Sequence, residues 1–449
     1  MARRPAHLIF GVDDRPPPGP LALLAVQHVF LMSSTLVLPV VLIGELGGSF
    51  SQVQAVVAWT MMACGLRTIL QALQLPFIGS GFLCPNLCGP NFFAASASAA
   101  WLGGLPLMRG MTIAAGLIEM AFARFLHRIA FLFPTEVTGV VVFMVALSLV
   151  PVGASKFLHI DYSGEPIEPT SLAVAAATLL VMIGLNVWSP ARLRLHGVLI
   201  GLAVGYGLSI ATGLLPAGAF ANVAKERWIG LPSLDGMFDI DFRWSLLPAI
   251  AIVSISGALK SIGNLIMCEK VNDEEWTTPD LDRIGNGLMA DGIAVAMSGL
   301  LGGMASDTSS SNVALSGASG ATSRYIGFAA GGLFIILGFS PKISAMLTVM
   351  PPPVAGAIVV FVVCFMFMSG LQIILSNPPD TRKTFVVGIA LCFGISLDIL
   401  PQLYADVPAW LRPLFDSSLT LATVIAVVLT QLLRIGERRD SRALPLPGE

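Results

Sequence analysis

Apolar runs of membrane-spanning length recur along almost the whole of this chain, and nothing else in it constrains the fold so strongly. A helix needs about 20 mainly apolar residues to cross the hydrocarbon core of a bilayer. Twelve stretches meet that requirement: 20–44, 52–75, 107–126, 134–152, 170–189, 197–215, 244–268, 284–303, 325–346, 353–375, 384–400 and 418–434. Charge is correspondingly scarce. Asp, Glu, Lys and Arg make up 12% of the 449 residues, against about 25% in soluble domains, too few to coat a water-soluble enzyme of this length. The net charge of −2 gives no basic surface for nucleic acid. The chain reads as an integral, multi-pass membrane protein.

Two further regions, 79–102 and 304–323, are long enough to cross but make poor continuous helices. The first carries Gly79, Gly81, Pro85, Gly89 and Pro90, and the second has almost no large apolar side chains. Broken backbone at membrane depth has to line a cavity or be wrapped by protein. With these two the count is fourteen segments, and both termini fall on one side. Placing that side in the cytoplasm puts 16 Lys and Arg residues inside and 7 outside, the bias that orients membrane proteins.

An internal repeat supports the count. Pro134, Val137, Gly139, Val142 and Gly153 recur at a constant offset as Pro351, Val354, Gly356, Val359 and Gly370. These residues belong to segments five and twelve, and the broken segments are three and ten, again seven apart. Seven is odd, so the two halves must be inverted with respect to each other. Inverted repeats with a broken helix in each half are the pattern of secondary transporters, whose site lies near the bilayer midplane.

Cysteine adds no chemistry. Cys64, Cys84, Cys88, Cys268, Cys364 and Cys392 all lie in or beside apolar stretches, and no zinc-ligand spacing follows Cys84 and Cys88. Buried, reduced thiols are expected. No cofactor or metal is called for, and no Ser–His–Asp set or metal cluster marks an enzyme. Residues 1–19 are polar and Pro-rich, which reads as a cytoplasmic tail rather than a signal peptide; residues 436–449 form the matching C-terminal tail.

Polar groups inside spans are costly and therefore informative. Ser256, Lys260 and Asn264 recur at i+4 in segment eight and share one helical face. Lys260 lies too near mid-span to reach an interface, so it requires a cavity or an acid, either Asp291 in segment nine or Asp307 at the entry to segment ten. Arg67, late in segment two, is expected to extend to the cytoplasmic interface. Segment ten supplies Asp307, Thr308, Ser309, Ser310, Ser311 and Asn312 ahead of a half-helix. Segment three offers Gly89, Pro90 and Asn91 at the matching place. Helix starts present free N–H groups and positive potential, so two of them facing each other beside Lys260 would make a compact polar pocket. Gln27 and His28 in segment one, Glu119 in segment four and Glu136 at the start of segment five are further polar candidates.

These residues resemble the nucleobase–ascorbate transporter family of uracil, xanthine and purine permeases. The likeness runs from about residue 20 to 435. It is strongest at QHVFLMSSTLVLPVVL from Gln27, PTEVTGVVVFMVALSLVPVG from Pro134, LKSIGN around Lys260, ADGIAVAMSGLLGG around Asp291, and the Asn312 region. The resemblance implies an all-helical membrane fold of two inverted seven-segment repeats, with segments three and ten each a short strand plus a half-helix. It implies a substrate-carrying core domain (20–127 and 244–346), a gate domain (134–215 and 351–435), elevator transport, and a homodimer formed through the gate in the cytoplasmic (inner) membrane.

The departures from the family are informative. Segment eight carries Lys260 where the family has a Glu that hydrogen-bonds the base, and Asn264 replaces an acid or His four residues on. In the segment-ten signature only Asn312 and Gly320 match outright, with Ser319 standing for Thr. His28 and Asp291 do match positions that the family uses. The resemblance thus assigns Lys260, Ser310, Ser311, Asn312, Gly89, Asn91 and Ser256 to substrate. It leaves His28, Asp291, Asn264, Asp307 and Gln27 to tune the pocket or carry a proton. An ammonium donates and attracts negative charge where a carboxylate accepts. Two substrate classes therefore stay open, a purine or related base and a small anion such as sulfate or bicarbonate.

Overall fold

A computed structural model describes residues 4–6, 8–129, 134–160, 167–190, 196–215, 218–234, 239–375, 380–404, 407, 415 and 418–434. The C-terminal tail lies outside them, as do Arg3, Arg192, Arg194, Arg412, Arg438, Arg439 and Arg442 of the charge count.

Helices dominate, and they begin where local chemistry says they should. The first span is α1 (Pro18–Ser33) and α2 (Val37–Glu45), parted where the hydroxyls of Ser33 and Ser34 turn back onto the carbonyls of Phe30 and Leu31. Such local bonds compete with the helix ladder. Next comes α3 (Phe50–Ala72), which starts in a capping box between Ser49 and Gln52. The strand β1 (Asn86–Cys88) and a short 3-10 turn lead into α4 (Phe93–Ile129). Gly103 and Gly104 interrupt α4, and Gly104 at φ 70° holds a backbone conformation that suits glycine. Residues 93–102 are therefore the expected half-helix, separate from the span that follows.

The chain continues through α5 (Thr135–Ser148), α6 (Val150–Leu158), α7 (Pro169–Trp188), α8 (Gly197–Ala211) and α9 (Ala219–Lys225). Then come α10 (Leu247–Asn272) and α11 (Leu281–Leu301), where Asp280 caps α11 by accepting from the Arg283 N–H. The second broken span is β2 (Ser306–Thr308) followed by α12 (Ser310–Ser319). The remaining helices are α13 (Arg324–Gly338), α14 (Pro341–Thr348), α15 (Pro352–Ile374), α16 (Thr381–Ile399) and α17 (Ser418–Arg434).

Among the described residues, eight helices or joined helix pairs are long and apolar enough to cross a membrane. Counting the pair α13–α14, bent by 78° and so not the single helix expected over 325–346, makes nine. The helices α8 and α17 are apolar but shorter.

Two compact units are distinguishable. One contains residues 1–124 and 149–364, the other 125–148 and 365–449. Within the first, α3 lies directly on α13 because Gly65 and Gly331 face each other: a methyl group on either would strike the carbonyl of the other. Small residues permit this close helix packing inside membranes. In the same unit α4 meets α11 backbone to backbone at Gly116 and Gly292. The repeated glycines are also contact points. Gly356 abuts the backbone at Lys156 and Phe157 within the first unit, and Gly139 abuts Gly370 within the second.

One expectation about cysteine needs correction. Cys64, Cys84, Cys88 and Cys268 are buried and free, but Cys364 and Cys392 are free and exposed. A thiol is apolar enough to sit on an outward helix face without a partner.

Candidate functional site

The two broken spans meet in an antiparallel pair, Asn86 opposite Thr308, Leu87 opposite Asp307 and Cys88 opposite Ser306. Backbone bonds from Gly89 N to the Ala305 carbonyl (2.9 Å) and from Ser309 N to the Pro85 carbonyl (3.0 Å) continue the ladder. Each strand thus satisfies its backbone against the other, which is what allows non-helical chain at membrane depth. Each strand also ends at a helix start. Pro90 opens the turn before α4, and Ser309 caps α12 by accepting from Asn312 N.

Asp307 lies at the centre of this arrangement. It is fully buried, and its Oδ2 accepts from Lys260 Nζ at 2.8 Å and from Asn91 Nδ2 at 2.5 Å. Of the two acids that the sequence offers to Lys260, the structure pairs it with Asp307. One turn further along α10, Asn264 donates to Thr308 Oγ1 and accepts from Ser310 Oγ, both at 2.8 Å. The i+4 spacing of Lys260 and Asn264 therefore delivers both side chains to the same strand. Ser261 joins them with a 3.1 Å bond to Thr308.

On the other side, His28 Nδ1 lies 2.7 Å from Asn312 Oδ1, and Asn312 Nδ2 donates to Ser309 Oγ. With the amide nitrogen so engaged, Oδ1 is the atom that accepts, which places the His28 proton on Nδ1. Ser311 lies 3.1 Å from Ser309. Ser310 and Ser311 are exposed and Lys260 partly so, while Asn91, Ser256, Asn312 and His28 are buried. Gln27 is half-buried and makes no hydrogen bond to this group among the described residues. Gly89 is packed rather than open, since a methyl group there would press on the Ala305 carbonyl, Phe92 and Asp307. Its small size serves the close approach of the two broken spans.

Several buried polar atoms here have no hydrogen-bond partner among the described residues: Asp307 Oδ1, Asn91 Oδ1, Ser256 Oγ and His28 Nε2. Interiors normally satisfy such groups; Asn91 and His28 carry them while bonding Asp307 and Asn312.

Behind β2 lies a second cluster, where the reading of Arg67 is overturned. Arg67 does not extend to an interface. It is wholly buried, with Nε 2.9 Å from Asp291 Oδ1 and Nη2 3.7 Å from Glu119 Oε1. Its Nη1 donates to the carbonyl of Ser306 and to Ser306 Oγ. Gln71, one turn along α3, also donates to Asp291 Oδ1 at 3.0 Å. Asp291 thus belongs to Arg67 and not to Lys260. The signal available in the sequence was the i+4 pair Arg67 and Gln71 on an otherwise apolar helix, a pattern hydropathy alone does not weigh. Ser261 was not singled out in the sequence because its hydroxyl gains meaning only from the strand pairing that brings Thr308 to it.

With this geometry in place, comparison with known proteins is decisive. The model of a family described as Permease family matches residues 19–403. The chain belongs to this family. Xanthine permease XanP of Escherichia coli (strain K12) is 26% identical over 94% of this chain and 94% of its own length. Uric acid permease PucJ of Bacillus subtilis (strain 168) is 27% identical over 94% of each.

Among solved structures, the transmembrane domain of a cyanobacterial bicarbonate transporter, BicA, aligns with TM-score 0.56 at 14% identity, covering 94% of this chain and 99% of that one. The murine Slc26a9 anion transporter in its inward-facing state aligns with TM-score 0.60 at 12% identity, over 95% and 69%. At such identities the likeness concerns the fold. This permease has the seven-plus-seven inverted-repeat fold of that group. It is a transporter and not an enzyme.

Proposed function

We propose that this permease carries a purine-like base, of the xanthine or urate kind, across the cytoplasmic membrane in company with protons. In this reading the chain crosses fourteen times with both termini in the cytoplasm. Residues 20–127 and 244–346 move as an elevator against a dimerised gate formed by 134–215 and 351–435. The relatives' names support the substrate class.

The observation that carries the choice of substrate is the Lys260–Asp307 pair at 2.8 Å. Lys260 departs from the family's Glu, and alone it would favour an anion. Neutralised by Asp307, it contributes N–H donors without net charge, while Asp307 Oδ1, Asn91 Oδ1 and Ser256 Oγ offer acceptors. A planar base presents donors and acceptors along one edge and matches such a mixed set. Sulfate presents acceptors only and would have to compete with Asp307 for the ammonium. Ser310, Ser311 and Asn312 would orient the base at the start of α12, with Gly89 and Asn91 closing the opposite side.

A binding panel on purified protein tests this, with thermal stabilisation as readout and xanthine, urate, uracil, sulfate, bicarbonate and a dicarboxylate as ligands. Xanthine or urate is expected to raise Tm, and Lys260→Glu, which sets two carboxylates against each other, to abolish the effect. Stabilisation by inorganic anions alone would overturn the base reading in favour of an anion carrier. Proton coupling is tested by uptake, expected to rise at acidic external pH and to collapse with an uncoupler.

A further inference from the structure

We propose that Glu119 is the proton-carrying group of this permease, a proposal that rests on the proton-coupled reading above. The argument begins with charge. Around β2 the first compact unit buries three carboxyl groups, Glu119, Asp291 and Asp307, against two cations, Arg67 and Lys260. Lys260 and Asp307 form one pair and Arg67 and Asp291 the other. Glu119 is left over, so the cluster is electrically balanced when that third carboxyl holds a proton.

Hydrogen bonding singles out the same residue. Asp291 accepts from Arg67 and Gln71, and Asp307 accepts from Lys260 and Asn91. Neither oxygen of Glu119 accepts a hydrogen bond among the described residues, although the side chain is wholly buried. A carboxylate without such bonds is far more costly to bury than a carboxyl group. The groups that face it are Arg67 from α3, Asp291 from α11 and Asp307 from β2.

Placement gives the proton an effect on the substrate site. Gly116, three residues before Glu119 on α4, packs on Gly292 next to Asp291, which brings Glu119 to the guanidinium. Arg67 reaches from Glu119 to the carbonyl and hydroxyl of Ser306, the residue before Asp307. When Glu119 gives its proton to water, the new carboxylate draws Arg67 toward itself and away from Asp291 and Ser306. The strand that holds Asp307 against Lys260 is then released. Binding of proton and substrate are linked through this bridge, and the linkage is reciprocal. A metal cation is a poor alternative occupant, because the guanidinium already stands beside the carboxyl group.

The test uses full-length protein in proteoliposomes, with xanthine or urate as the labelled substrate. Wild type is expected to concentrate it about tenfold per unit of pH gradient, the value for one proton per substrate, and to exchange it across the membrane without a gradient. Glu119→Gln is expected to keep the exchange and lose the accumulation, its ratio falling to one. Accumulation by the variant at the wild-type level overturns the assignment while leaving proton-coupled transport standing. Exchange without gradient-driven accumulation in the wild type overturns the coupling and the assignment together, and leaves the base reading intact. A second measurement covers a variant that does not fold or a protein that moves neither base. Infrared spectra of purified wild type should show a protonated carboxyl at neutral pH that disappears as the pH is raised, and its absence overturns the proposal.

Discussion

Lys260 on α10 and Asp307 on β2 form an ion pair of 2.8 Å in which the carboxylate is completely buried and the lysine side chain 14% exposed. The pair ties a continuous helix to a strand that exists only because two broken spans meet. Breaking one partner of a buried pair leaves the other uncompensated, at about 3–5 kcal/mol. Lys260→Met and Asp307→Asn are each expected to destabilise the protein by that order. The double variant should cost clearly less than the sum, since it leaves no stranded charge. Thermal unfolding in detergent measures the cycle, and strict additivity would show that the pair does not act as a unit.

Arg67 holds three partners with three different nitrogens: Asp291 with Nε, Ser306 with Nη1 and Glu119 with Nη2. A lysine supplies a single point of attachment and cannot reproduce that fork. Arg67→Lys should therefore retain charge but recover only part of the stability lost in Arg67→Gln, which is expected to fall by about 3–5 kcal/mol. A Lys variant as stable as wild type would show that charge alone matters here.

Adjacent glycines on α13 should respond in opposite directions. A methyl group at Gly331 meets the Gly65 carbonyl and Ile69, whereas one at Gly332 has nothing within 4 Å. Gly331→Ala forces two helix backbones apart and should cost about 1–3 kcal/mol. Gly332→Ala gains helix propensity and should stabilise by about 0.5–1 kcal/mol. Tm values of the two single variants decide it. Equal effects would remove close packing of α3 and α13 as the cause.

His28 donates from Nδ1 to Asn312 Oδ1 at 2.7 Å, and both residues are buried. His28→Phe leaves that oxygen without a donor, at a cost of about 1–3 kcal/mol. His28→Asn can place an amide N–H where Nδ1 stood and should recover most of the loss. Comparison of the two by thermal unfolding checks the bond, and a His28→Asn variant no more stable than His28→Phe would show that Asn312 does not depend on a partner at this position.

Much of the fold was legible along the chain. The apolar runs, the Gly- and Pro-broken segment around Gly89, and the Ser-rich segment around Asn312 marked most of the membrane-length helices and both interruptions, since backbone breakers and hydropathy act locally. Breaks inside apolar runs were less visible. The turn at Ser34 and the 78° bend between α13 and α14 lie in sequence that is apolar enough to be read straight through.

The site divides along the same line. The sequence by itself determined that Lys260 is a cation too near mid-span to reach an interface and that it needs a cavity or an acid, because a charge deep in a span is costly unless it is paired or faces water. Which acid answers was decided by tertiary structure. Asp291 and Asp307 are equally plausible along the chain, yet β1 must pair with β2 to satisfy its backbone, and that register turns Asp307 to Lys260 and leaves Asp291 to Arg67. Arg67 likewise lies within reach of an interface if helix position alone is considered. It turns inward because two carboxyl groups from other helices wait there, and side-chain direction is set by neighbours that hydropathy does not see.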